Sequence, residues 1–127
     1  MNLQLILAVA IGGAIGSVAR YLVGVGSGKL FGFAFPWGTL IINIAGSFLI
    51  GVFAESFALK WNLPQAAQVF LTVGICGGFT TFSTFSLDAY VLMQRGEWWP
   101  AAAYMIGSVV LSIGALFAGL HLIRATS

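Results

Sequence analysis

The 127-residue chain is the size of one small domain, yet 60% of it is apolar and only 6% is Asp, Glu, Lys or Arg, against about 25% charge in a soluble domain. That balance excludes an ordinary water-soluble fold and makes a lipid bilayer the solvent for which the sequence is written. The net charge of +2 comes from five basic residues scattered over separate segments, which excludes the basic stripe of a nucleic-acid-binding surface.

The first apolar stretch covers about residues 3–25 and ends beyond Arg20. No Lys or Arg precedes Arg20, so the basic n-region of a secretory signal is missing and the stretch is expected to remain as a span. Arg20 itself is placed to snorkel toward the interface. Lys29 with Gly26, Gly28, Gly32 and Pro36 marks the first loop. A second stretch covers about 37–59, and residues 60–64 form the second loop. The third stretch, about 67–93, contains the lone Cys76, a small buried filler that has no disulfide partner. Arg95-Gly96-Glu97 forms the third loop before a fourth stretch of about 99–123. The prediction is a single all-α domain, a four-helix transmembrane bundle with no separate soluble part.

All four tryptophans fall at span ends, Trp37 and Trp61 around the second and Trp98 and Trp99 before the fourth, where indole favours the headgroup region. Lys60 and Arg124 lie on one side, Lys29 and Arg95 on the other with Arg20 near its edge. So even a distribution gives the positive-inside rule little to act on, which would allow insertion in both orientations and an antiparallel homodimer. Small residues four apart, Gly12/Gly16, Ser47/Gly51 and Ala115/Gly119, are the spacing that lets helices approach closely in lipid, and they are read as assembly surfaces. Glu55 and Glu97, near span ends, are read as solvated, and His121 as solvated or facing headgroups.

Polar side chains inside the spans fall in patterns. Thr39, Asn43 and Ser47 share one face of the second span, and Tyr104, Ser108 and Ser112 one face of the fourth. A single intramembrane hydroxyl often bonds its own helix at i−4, but two parallel stripes of neutral N–H and O–H donors suit a small hydrated anion. In the third span Gly74, Gly77 and Gly78 lead into Phe79-Thr80-Thr81-Phe82-Ser83-Thr84-Phe85-Ser86. These poor helix formers predict a break near residues 77–80, with freed carbonyls able to coordinate a cation; the alternative is an unbroken Gly-rich helix packed on a neighbour. Phe82 and Phe85 share a face beside the hydroxyls. They are either core or lipid-facing rings, or they turn their positive edges to an anion. Asp88 is an intramembrane carboxylate and hence a site candidate, with an ion pair or a protonated acid as the other readings.

The string from Gly77 to Ser86, with Gly38-Thr39-Leu40 to Asn43, Gly12-Gly13 to Arg20 and Ala103-Tyr104 to Ser112, closely resembles the Fluc (CrcB) family of bacterial fluoride channels over essentially the whole chain. The resemblance implies a dual-topology antiparallel homodimer in the bacterial inner membrane that passively exports fluoride. It implies a structural, non-transported sodium ion held by the carbonyls of Gly77 and Thr80. It also implies a fluoride pathway along Asn43, Phe82, Phe85, Tyr104, Ser108 and Ser112. Thr39, Ser83, Thr84, Asp88 and Arg20 are candidates for vestibule or pore support, although Asp88 stands where the family commonly has glutamate. A dual-topology multidrug exporter is disfavoured because the first span has no acid. An assembly subunit would leave the polar stripes without a purpose, and a membrane enzyme would need nucleophile or metal-ligand spacings that are not present.

Overall fold

A computed structural model describes residues 2–126, all helical apart from short connections. Helix α1 spans Leu3–Phe31 and α2 spans Trp37–Leu59. The third span, Gln65–Gln94, is built from α3 (Gln65–Val69), a π-helical segment (Phe70–Cys76), α4 (Gly77–Phe79) and α5 (Phe82–Gln94). Helix α6 spans Trp98–Thr126. Each of the four spans is long and apolar enough to cross a membrane. The shortest, α2, has 23 residues and reaches about 35 Å at 1.5 Å per residue, against a hydrocarbon core of ~30 Å.

Local chemistry sets the ends. Asn2 caps α1 by accepting from the Gln4 amide at 2.8 Å. Helix α1 continues to Phe31, so Gly26, Gly28 and Lys29 lie in its last turns and not in the expected loop at residues 26–36. The reversal falls at Gly32, whose φ of 81° is open to glycine and whose N–H donates to the Gly28 carbonyl at 2.9 Å. Phe33 then folds back onto Gly28, where a Cβ would overlap its ring. Helix α6 begins at Trp98 with Pro100 in its first turn, where a missing N–H is harmless.

The bundle is two helix pairs. Helix α1 packs on the π-helical segment and α4, and α2 packs along α6. Backbones meet at both crossings: a Cβ on Gly12 would lie 2.6 Å from the Phe70 carbonyl oxygen and 2.9 Å from the Gly74 Cα, and one on Gly78 would lie 2.6 Å from the Gly13 carbonyl oxygen. Gly51 faces the backbone of Leu116 and Gly119 that of Phe48. The small residues expected to serve assembly are therefore used inside the protomer, at Gly12, Gly16, Gly51 and Gly119. Glu55 is likewise not solvated. It is buried at the end of α2 and paired with Arg124 of α6, while Lys60 Nζ donates to the Thr126 carbonyl at 3.1 Å and to its hydroxyl at 3.0 Å. These contacts tie the end of α6 to the α2–α3 connection.

Candidate functional site

The site begins at two residues that are not helical. Thr80 (φ −81°, ψ 157°) and Thr81 (φ −153°, ψ 119°) are extended between α4 and α5. Thr80 keeps its N–H and its hydroxyl on the Cys76 carbonyl, both at 3.0 Å, and its methyl group rests where a Cβ on Gly46 would be. Thr81 is held by α2: its N–H donates to Asn43 Oδ1 at 2.9 Å, and its carbonyl accepts from Asn43 Nδ2 at 3.1 Å. One orientation of the amide satisfies both, which fixes which atom is which. The Thr81 hydroxyl caps α5 by accepting from the Thr84 amide at 3.2 Å and lies 3.3 Å from the Ser83 hydroxyl.

This segment separates two hollows. On one side a groove of about 380 Å³ is lined by Asn43, Gly46 and Ser47 of α2, by Thr80, Thr81, Phe82 and Phe85, and by Ser108 and Ser112 of α6. It brings together Asn43, Thr80, Phe82, Phe85, Ser108 and Ser112 of the expected set, and no charged side chain lines it. Phe82 and Phe85 stand 5.5 Å apart at 40°, and Phe82 is 78% exposed, so its ring edge is uncovered by the protomer. Among the described residues, Ser108 and Ser112 have buried side-chain oxygens without a hydrogen-bond partner, as does Ser56 at the far end of α2. Orphaned buried hydroxyls cost stability, and two of these three line the one groove.

On the other side a cleft of about 780 Å³ between α1, α2 and α5 is lined by Arg20, Thr39, Thr84 and Asp88, with Lys29 and Arg95. Three of the chain's five cations thus face one cleft against a single carboxylate. Arg95 also donates to the Ala34 carbonyl at 3.0 Å and pairs with Glu97 at 3.4 Å.

Tyr104 bridges the two hollows. It is buried, its hydroxyl donates to Asp88 Oδ2 at 3.1 Å, and its ring lies 5.1 Å from Phe85 and 5.6 Å, edge-on, from Phe35. Tyr104 itself and two other expected site residues line neither hollow. Ser83 is exposed beside Thr81, and Gly77 lies on the outer face of α4. Thr81 was not singled out from the sequence. The available signal was a Thr immediately before Phe82, the first of the apolar positions 82, 85, 89 and 92 at helical spacing, the mark of a helix restarting.

Four long apolar spans define a multi-pass membrane protein, and the chain belongs to the CrcB family. Residues 7–120 match the family described as CrcB-like protein, Camphor Resistance (CrcB). The chain is similar to the fluoride-specific ion channel FluC of Nitrobacter winogradskyi, at 68% identity with 98% of both chains covered. It is 66% identical to the fluoride-specific ion channel FluC 1 of Nitrobacter hamburgensis, again over 98% of each. It is 53% identical to the fluoride-specific ion channel FluC of Rhodospirillum centenum, over 96% of this chain and 97% of that one.

Proposed function

We propose that this protein is a fluoride-selective channel, not an enzyme, and that the groove of Asn43, Phe82, Phe85, Ser108 and Ser112 is part of its pathway. The observation that carries the reading is the pair of unpartnered Ser108 and Ser112 hydroxyls in a groove without fixed charge. Fluoride holds its water tightly, so leaving water requires replacement donors, and neutral ones release the ion again. The phenyl edges of Phe82 and Phe85 supply positive quadrupole at short range, and Arg20, Lys29 and Arg95 raise the local anion concentration in the cleft. Tyr104, held by Asp88, stands between the groove and the cleft, with Thr39 and Thr84 in the cleft lining and Ser83 as support beside Thr81.

The exposed groove is completed by a second copy, inserted antiparallel in the bacterial inner membrane. In this reading fluoride that has accumulated inside the cell leaves passively. A structural sodium ion fits the extended segment. Helix α4 ends at Phe79, so its last carbonyls lack helical donors, and the Thr81 amide turns to Asn43 instead of Gly77. Gly77 and Thr80 would hold the ion by their carbonyls, and it would fix the segment's geometry.

The test is fluoride efflux from liposomes in sodium-containing buffer, beside chloride and beside Phe82→Ile. Rapid fluoride release with little chloride release, sharply reduced in Phe82→Ile, supports the reading. Vesicles of verified protein content that release no fluoride overturn it.

A further inference from the structure

In an unbroken helix each N–H donates to the carbonyl four residues back, so Thr81 would serve Gly77 and Thr84 would serve Thr80. Neither does. The Thr81 N–H donates to Asn43 Oδ1 at 2.9 Å, and the Thr84 N–H donates to the Thr81 hydroxyl at 3.2 Å. From these two replacements we infer that the side chains of Asn43 and Thr81 are positioning residues that create the cation site, by drawing away the amide donors that would otherwise occupy the Gly77 and Thr80 carbonyls. This rests on the sodium reading above and adds the agents that make those carbonyls available.

Both groups are placed for the task. The second Asn43 bond, Nδ2 to the Thr81 carbonyl at 3.1 Å, turns that peptide unit as a whole, so its N–H is committed to α2. Gly46, one turn along the same face, admits the Thr80 methyl. The amide of Asn43 makes these two bonds and retains one N–H in the groove. A single side chain therefore serves the cation site with its oxygen and the groove with its remaining donor, and substitutions can part the two duties.

The experiment follows thermal stability of the purified full-length protein against sodium concentration, with amide exchange at residues 80–84 and fluoride efflux alongside. A ligand that binds only the folded state raises stability with its concentration. Asn43→Asp keeps the acceptor for the Thr81 N–H and loses both amide donors, the one on the Thr81 carbonyl and the one left in the groove. It should leave the sodium midpoint within about threefold of wild type while efflux falls, because one acceptor atom is conserved. Asn43→Leu has no acceptor and should raise the midpoint tenfold or more, with faster exchange at Thr81. Thr81→Val, which keeps the shape and removes the cap, should do the same with faster exchange at Thr84, and it tests the inference even if Asn43→Leu does not fold. Ser86→Ala, whose hydroxyl bonds only the Phe82 carbonyl, should match wild type. Equal midpoints in wild type, Asn43→Leu and Thr81→Val overturn the inference while leaving sodium binding intact. A wild-type protein indifferent to sodium overturns both.

Discussion

Adjacent glycines of α1 should respond oppositely to alanine. A Cβ at Gly12 would meet the Phe70 carbonyl oxygen at 2.6 Å and the Gly74 Cα at 2.9 Å, whereas a Cβ at Gly13 meets nothing within 4 Å. The obstructing atoms are backbone of another helix, so no rotamer relieves the clash and the helices must separate by about half an ångström or more, an overpacking cost of about 1–3 kcal/mol. Each substitution also gains about 1 kcal/mol of helix propensity. Gly13→Ala should therefore be stabilising by up to about 1 kcal/mol, and Gly12→Ala should fall below it by about 1–3 kcal/mol. The propensity gain cancels in the difference between them. Gly74→Ala, with nearest contacts at 3.0 and 3.2 Å, should lie between. Reversible unfolding of the purified variants in one detergent mixture reads the order. Equal stability of Gly12→Ala and Gly13→Ala would refute the backbone-on-backbone crossing of α1 and the third span.

Ser108→Ala and Ser112→Ala should each stabilise the fold, by about 1 kcal/mol, because each removes a buried hydroxyl that has no partner; fluoride efflux should nevertheless fall, and the pair of assays separates the two effects. Asp88→Ala removes the acceptor of the buried Tyr104 hydroxyl and leaves it Thr39, which should cost about 1 kcal/mol, part of which Tyr104→Phe should restore in a thermal double-mutant cycle. Arg124→Ala leaves the buried Glu55 carboxylate without its guanidinium. Because the arginine side chain is 59% exposed, the loss in thermal unfolding should be about 1 kcal/mol, well below that of a fully buried pair.

The four spans were legible from hydropathy, with tryptophans marking both ends of the second and the start of the fourth. The first loop was not, because glycine carries two meanings. Gly32 makes the turn, but Gly28 stays helical to admit the ring of Phe33, and spacing does not tell these uses apart. The partner of Glu55 lies 69 residues away, so its burial is a product of packing that no local pattern reports. Of the two polar stripes, Asn43, Ser47, Ser108 and Ser112 line the groove, whereas Thr39 lines the cleft and Tyr104 lines neither hollow. Helical spacing put Asn43 on a donor stripe and the resemblance put it in the fluoride pathway, but neither reported that two of its bonds go to the main chain of Thr81; a carboxamide on a helix face reads the same whether it meets a cavity or a neighbouring peptide.

The rings form a relay from the membrane boundary to the groove. Trp37 lies 4.7 Å from Phe35, Phe35 5.6 Å from Tyr104, Tyr104 5.1 Å from Phe85, and Phe85 5.5 Å from Phe82. Each ring rests on the next, so the effect of replacing one depends on its neighbours, and contacting residues do not contribute additively. Phe35, which belongs to the connection before α2 and lines no part of the groove, thereby gains a vote in the pose of Phe85. In the proposed channel, drift in the composition of that short connection would reshape the groove without altering a residue that lines it, and a change at position 85 that fails in this background would succeed after a prior change at position 35.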